Sequence, residues 1–155
     1  MSLFENQVKS YSNKFAQFYT SLGKKDVLAL YKKCGLADVE VELTNNTKAF
    51  KEATLKIAMT LMPGIPSCTV YAAIVASALS ALDMPFIAKA GTCIKRSMKS
   101  YEKDTKYFHE QKAAGIEHPL MATHVYIESQ GKIYEYYSGE FSDIDHLDCV
   151  EIARS

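Results

Sequence analysis

Three side chains of this chain, Cys68, His124 and Glu135, have the chemistry needed for nucleophilic catalysis. A cysteine thiolate is a strong nucleophile, and a histidine can take up the proton of the thiol. A carboxylate can orient the histidine by bonding its second ring nitrogen. Such a set attacks a carbonyl or amide, forms a thioester and passes the acyl group to water or an amine. The three residues therefore predict a cysteine-dependent hydrolase or acyl transferase.

Cys68 stands where a helix is expected to begin. The uncharged stretch 68–82 is rich in small residues and follows a loop interrupted by Pro63, Gly64 and Pro66. Unpaired N–H groups and the positive end of the helix dipole favour a thiolate in the first helical turn. The alternative interpretation is a buried cysteine that packs as a small apolar side chain.

His124 and Glu135 lie in two runs, 122–128 and 132–137, that are rich in Val, Ile and Tyr and predict a hairpin. If Gln130 and Gly131 form its loop, Glu135 lies opposite Tyr126 and diagonal to His124, on the same face. A carboxylate there can bond the far imidazole nitrogen. An exposed strand glutamate is the alternative.

The order of these features resembles the papain-like cysteine-protease fold, in particular its transglutaminase-like branch, which shares its order with the arylamine N-acetyltransferases. The likeness covers roughly residues 64–138. It is carried by the cysteine at a helix start, the small-residue helix, a strand ending at Gly91, and the segments His-Val-Tyr-Ile-Glu and Gly-Lys-Ile-Tyr-Glu. The resemblance implies that Cys68 is the nucleophile, His124 the base and Glu135 the orienting acid.

The chain departs from that family pattern at two points. The third position is Glu rather than Asp, and Asp143 or Asp145 of the following loop could substitute for it. No Gln or Asn precedes Cys68 closely enough to help bind an oxyanion. The backbone N–H of Cys68 supplies one donor, and the second is unassigned.

The elements that must position these residues follow from hydrophobic periodicity, turn residues and caps. We predict helices at 3–22, 25–34, 47–61, 68–82 and 96–114, the third capped by Asn45 or Asn46. We predict strands at 39–43, 85–90, 122–128, 132–137 and 149–153. Helices first and strands later indicate an α+β fold, with N-terminal helices packed on a small antiparallel sheet. We expect a single domain, 1–155, with a helical N-terminal part (1–61) and a catalytic core (62–155).

Composition and charge indicate which classes of partner the chain binds. The chain has 155 residues, 48% of them hydrophobic and 23% charged, with a formal net charge of zero. Zero net charge argues against nucleic acid as a partner, and we expect a protein or peptide substrate. No secretory signal or membrane-spanning segment is evident, so we expect no membrane association and a cytoplasmic location.

The cysteine and histidine spacing predicts neither a disulfide framework nor a metal site, and we expect no cofactor. The remaining candidate metal ligands do not form a motif: Cys34, Cys93, His109, His118, His146 and Cys149. Two alternatives to an enzyme stay open. One is a protein-binding module that keeps the same fold without activity, and the other is an unrelated helical adaptor in which Cys68 is core.

Overall fold

The computed structural model describes residues 2–62, 67–119, 121–137, 141 and 143–155. The helices are α1 (Leu3–Ser21), α2 (Lys24–Lys33), α3 (Val39–Thr44), α4 (Lys48–Leu61), α5 (Cys68–Ala81) and α6 (Tyr101–Ala113). The strands are β1 (Ile87–Lys95), β2 (Thr123–Ser129), β3 (Lys132–Tyr134) and β4 (Ile144–Arg154). This is the predicted α+β class, a group of helices with a small four-stranded antiparallel sheet.

Helix α5 lies at the centre of the core. Every residue from Thr69 to Ser80 is buried, and α1, α2, α4 and β2 all pack against it. A helix with no charged face has to be covered on all sides, and its alanines and serines let neighbouring backbones approach closely. The uncharged stretch is therefore a central core helix, as the sequence predicts. Among the described residues, no helix combines the length and the apolar character needed to cross a membrane.

The sheet has the strand order β3-β2-β1-β4, and all neighbouring strands are antiparallel. The predicted hairpin is present: Ser129 pairs with Lys132, and the loop residues Gln130 and Gly131 have φ values of 50° and 80°. Positive φ at both loop residues is typical of a type I′ turn, whose twist matches that of the strands. This turn fixes the register that places Glu135.

One predicted strand is wrong, because the segment 39–43 forms helix α3. The Asp38 side chain accepts a hydrogen bond from the backbone N–H of Val41 at 3.2 Å and caps the helix. Val39 and Leu43, one turn apart, are both buried. Five alternating residues fit a strand and a helix equally well, and the cap decided between them.

Several predicted boundaries also need correction. Thr47, rather than Asn45 or Asn46, caps α4 and accepts from the backbone N–H of Phe50 at 3.1 Å. Helix α6 begins at Tyr101 rather than at residue 96. Three strands also differ from their predicted bounds. β1 does not end at Gly91 but runs on to Lys95, and β4 begins at Ile144 instead of 149. β3 ends at Tyr134 rather than at residue 137, so Glu135 lies just after the strand.

A β-bulge lies where β1 and β4 pair around Gly91. Ala90 pairs with Val150 and Thr92 with Leu147, so two residues of β4, Asp148 and Cys149, oppose Gly91 alone. A Cβ atom on Gly91 would lie 2.5 Å from the Asp148 carbonyl oxygen and 2.6 Å from Cys149 Cα. Glycine is required here because the bulge occupies the space of a side chain.

Candidate active site

Cys68 is the first residue of α5, and the Ser67 side chain caps the helix by accepting from the backbone N–H of Val70 at 3.1 Å. Burial raises the pKa of the Cys68 thiol, but the interaction with the His124 side chain and the charge of its ring more than offset this effect. The net result is a pKa below the ordinary value of 9.0. A backbone hydrogen bond from Val125 contributes in the same direction.

The other cysteines near the sheet differ from Cys68. Burial is the main cause that raises the pKa of Cys93, and burial also raises the pKa of Cys149. A thiol with a raised pKa stays protonated near neutral pH and is a poor nucleophile. Among these three thiols, only Cys68 has an environment that favours the thiolate.

His124 lies in β2, 1% exposed, with its ring between the thiol and Glu135. Burial lowers the pKa of His124, but the interactions with Cys68 and Glu135 outweigh burial and raise it above 6.5. Its Nε2 atom lies 2.7 Å from Oε1 of Glu135. Its Nδ1 atom is buried and has no hydrogen-bond partner among the described residues, which leaves that nitrogen for the thiol proton.

Glu135 follows β3 and extends the register that the hairpin turn sets, on the face that carries His124. Burial raises the pKa of its carboxyl group, but hydrogen bonds from His124 and His146 more than compensate, so the pKa falls below 4.5. Glu135 is therefore ionised near neutral pH and can only accept hydrogen bonds. It follows that Nε2 of His124 carries a hydrogen and that Nδ1 of the neutral ring is the basic nitrogen.

His146 of β4 was not identified from the sequence as part of this site. Its Nε2 atom lies 2.7 Å from the same oxygen of Glu135, and its side chain is 17% exposed. The sequence placed residue 146 in a polar loop, whereas the structure places it in a strand. Local pattern could not place His146 in the site, because its position depends on the pairing of β4 with the distant strand β1.

The ligand atoms of His124, Glu135 and His146 all lie within 4.8 Å of one another, a grouping that could also hold a metal ion. Two ligands bound to one zinc ion at about 2.0–2.1 Å lie about 3.3 Å apart in tetrahedral geometry. The two N–O distances here are 2.7 Å, which is the length of a charge-assisted hydrogen bond. Hydrogen bonding describes the cluster better than metal coordination.

The two aspartates considered as alternatives to Glu135 do not reach His124. Asp145 accepts from Nε of Arg96 at 2.7 Å and from the hydroxyl of Tyr101. The backbone carbonyl of Asp143 accepts from the backbone N–H of Arg96 at 2.7 Å. The Asp145 carboxylate is therefore engaged by other partners, and Asp143 is exposed. Of the three acids, Glu135 is the one with a hydrogen bond to the imidazole.

A cavity of about 640 Å³ opens beside Cys68. It is bounded on one side by Ser67, Cys68 and Thr69 and on the other by α1, which contributes Gln7 and Lys14. A second cavity of about 480 Å³ shares Met121, Ala122 and Tyr137 with the first. The two cavities are therefore neighbours, and the one beside the thiol is large enough for part of a peptide.

Gln7 is a second residue that the sequence did not connect with the site. It lines the cavity with Cys68 and accepts a hydrogen bond from the hydroxyl of Thr123 through Oε1. Because that oxygen is engaged, the amide nitrogen remains as a donor. Local sequence could not indicate this, since Gln7 belongs to the first helix of the chain.

A scan of protein-family models, a search of curated proteins and a search of solved structures each found no match to this chain.

Proposed function

We propose that this protein is a cysteine-dependent hydrolase or acyl transferase that acts on an amide or peptide substrate through a thioester. The observation that carries the proposal is the row formed by Cys68, His124 and Glu135. Its thiol pKa is lowered, its ring pKa is raised, and its carboxylate bonds the ring nitrogen at 2.7 Å. These are the features of an activated thiol with an oriented base.

The same row supports a papain-like, transglutaminase-like core as the finer description of the fold. The elements that carry the resemblance are a cysteine at the start of a central helix, a histidine in an antiparallel strand, and an acid after the next strand. Glu in place of Asp is accommodated because Glu135 lies diagonal to His124 in the hairpin register, where a longer side chain reaches Nε2.

In the reaction, His124 accepts the proton of Cys68 at Nδ1, and the thiolate sulfur bonds to the substrate carbonyl carbon. The carbonyl electron pair moves to oxygen, and the tetrahedral oxyanion collapses as the C–N bond breaks. His124 returns the proton to the leaving amine, and a thioester remains on Cys68. Water or an amine then attacks the thioester with His124 as base, which releases the acyl product and restores the thiol.

The oxyanion needs two donors, and the structure suggests one from each side of the cavity. The backbone N–H of Cys68 lies in the first turn of α5, where N–H groups have no partner within the helix. The side-chain amide of Gln7 lines the same cavity with its orientation set by Thr123. We assign Gln7 as the second donor, the role that no residue near Cys68 in the sequence could fill.

Electrophilic trapping of Cys68 tests the proposal. The protein is treated with limiting iodoacetamide at pH 6–7, and each cysteine is quantified by peptide mass spectrometry. We expect Cys68 to be modified faster than Cys34, Cys93 or Cys149, because the pKa of Cys68 is lowered whereas burial raises the pKa of Cys93 and Cys149. A Cys68 that reacts no faster than Cys34 in the folded protein contradicts the proposal.

A positive result from alkylation does not separate an enzyme from an inactive binding module, so a second probe is needed. A peptide thioester or activated ester is incubated with the wild-type protein and with Cys68→Ala. Accumulation of a covalent acyl adduct that disappears with time shows turnover, whereas binding without an adduct in the wild type favours the module.

A further inference from the structure

We infer that His146 is a positioning residue for the proposed reaction, which holds Glu135 where it fixes the tautomer of His124. The inference rests on the proposed function and assigns to the site a fourth side chain beyond Cys68, His124 and Glu135. It is carried by one shared atom. Oε1 of Glu135 accepts hydrogen bonds from Nε2 of His124 and Nε2 of His146, both at 2.7 Å.

Glu135 needs a second anchor. It lies just beyond the end of β3, and its side chain has one more rotatable bond than Asp. Left alone, such a carboxylate would sample several rotamers at the moment it must hold the ring. A donor from a different strand restricts it to the one orientation in which Oε1 faces His124.

His146 comes from a strand that is not adjacent to the strand that carries His124. His146 lies on β4 and Tyr126 on β2, with β1 between them, so their strands are about 9.5 Å apart. Nevertheless the two ring centroids are 4.3 Å apart. The rings lean toward each other across β1 next to Gly91, which has no side chain and faces the bulge of β4.

The aromatic and thiol groups around His124, Glu135 and His146 do not change their charge near neutral pH. The neighbouring Tyr126, Tyr137 and Cys93 all have pKa values raised, with burial as the largest cause. They stay neutral. Asp145, the residue before His146 in β4, also acts on His146, and its carboxylate is held by Arg96 and Tyr101. His146 contacts Glu135, and Glu135 contacts His124, so His146 acts on the thiol through these two side chains.

The test uses His146→Leu, which removes the donor, His146→Gln, which keeps an N–H donor, and His109→Leu, which changes an exposed histidine of α6. Rates of Cys68 alkylation by iodoacetamide are measured from pH 4 to 9. We expect His146→Leu to shift the acid limb of the pH–rate profile to higher pH by about one unit. At a given acidic pH, alkylation of Cys68 in this variant should be about tenfold slower than in the wild type. His146→Gln should retain most of the wild-type rate, and His109→Leu should match the wild type.

Nitrogen NMR of the imidazole rings gives a readout that does not depend on catalysis. The chain has four histidines, so the ring signals of His124 can be assigned by substitution. We expect the wild type to hold His124 as the Nε2–H tautomer, and His146→Leu to lower the pKa of that ring or to mix its tautomers.

The outcomes separate the two levels of the proposal. A folded His146→Leu protein with the wild-type alkylation profile and the wild-type His124 tautomer overturns the positioning role. A second result also overturns it: the wild type binds Zn²⁺ stoichiometrically, and His146→Leu abolishes this binding but leaves the metal-free alkylation profile unchanged. That result identifies His146 as a metal ligand instead. If wild-type Cys68 shows no enhanced reactivity, the proposed function fails, and the NMR measurement still decides whether His146 orients His124.

Discussion

Thr123 donates a hydrogen bond from its hydroxyl group to the side-chain oxygen of Gln7, which joins the residue before His124 to the first helix of the chain. The bond turns the amide nitrogen of Gln7 away from Thr123 and leaves it as a donor at the cavity beside Cys68. The proposed site therefore draws on both ends of the sequence. This relationship leads directly to a test of the oxyanion donor.

Replacement of Gln7 by Ala should slow acylation of Cys68 by a peptide ester or thioester by about 10²–10³-fold, the usual effect of losing one oxyanion donor. Alkylation by iodoacetamide should not change, because displacement at a saturated carbon forms no oxyanion. Gln17→Ala, at an exposed position lining the same cavity, is the matched control and should leave both rates unchanged. Equal loss of both reactions in Gln7→Ala would indicate a general disturbance of the thiol.

Replacement of His124 by Gln should raise the pKa of the Cys68 thiol. Burial already raises that pKa, and the interaction with His124 and the charge of its ring are the largest effects that bring it below 9.0. Without the ring, alkylation of Cys68 should follow a single thiol ionisation near or above pH 9. The ultraviolet absorbance of the thiolate as a function of pH measures the shift. A variant that keeps the wild-type thiol pKa would remove His124 from the mechanism.

The carboxylate of Glu135 should contribute stability that depends on pH. Its folded-state pKa lies below the ordinary 4.5, so the native state binds fewer protons than the unfolded state in acid. The contribution is present above about pH 4.5 and is lost as pH falls through the folded pKa. Glu135→Gln should cost about 2 kcal/mol at pH 7 and progressively less below pH 4.5.

Urea unfolding of Glu135→Gln and wild type at several pH values checks this dependence. Glu128→Gln is the control, since that carboxylate belongs to the same hairpin but pairs with a partly exposed Lys89 at 3.1 Å. An exposed or half-exposed pair contributes little. A Glu135→Gln deficit that stays constant down to pH 3 contradicts the role of the two histidine bonds.

Gly91→Ala should destabilise the protein and disturb the site together. The added Cβ would meet backbone atoms of Asp148 and Cys149 at 2.5 and 2.6 Å, and backbone cannot move aside as a flexible side chain does. We expect a loss of about 1–3 kcal/mol and a slower Cys68 alkylation in acid, because the displaced bulge carries His146 with it.

Gly115→Ala is a useful comparison for this substitution. Gly115 has a φ of 93° and open space around its Cβ position, so alanine there strains only the local backbone and should cost about 1 kcal/mol. Thermal unfolding gives the stabilities, and the alkylation profile of Gly115→Ala should be unchanged. If Gly91→Ala behaves in the same way, the bulge does not position His146.

Local sequence pattern was sufficient to predict an element where the element is long or where the residues of a turn specify its type. The uncharged run of α5, its start at Cys68, and the Gln130-Gly131 loop all follow from the residues themselves. That loop sets the register, and the register places Glu135 beside His124 with their side chains bonded at 2.7 Å. Local pattern failed at α3, where five alternating residues were decided by the cap at Asp38.

The sequence by itself determined which residues have the right chemistry and which of them one hairpin brings together, because register within a hairpin depends only on nearby residues. The tertiary structure alone decided the partners that come from elsewhere. Gln7 reaches the thiol by the packing of α1, and His146 reaches Glu135 by the pairing of β4 with β1 and by a bulge over Gly91. Such contacts depend on how distant elements pack, and that information is spread over the whole chain.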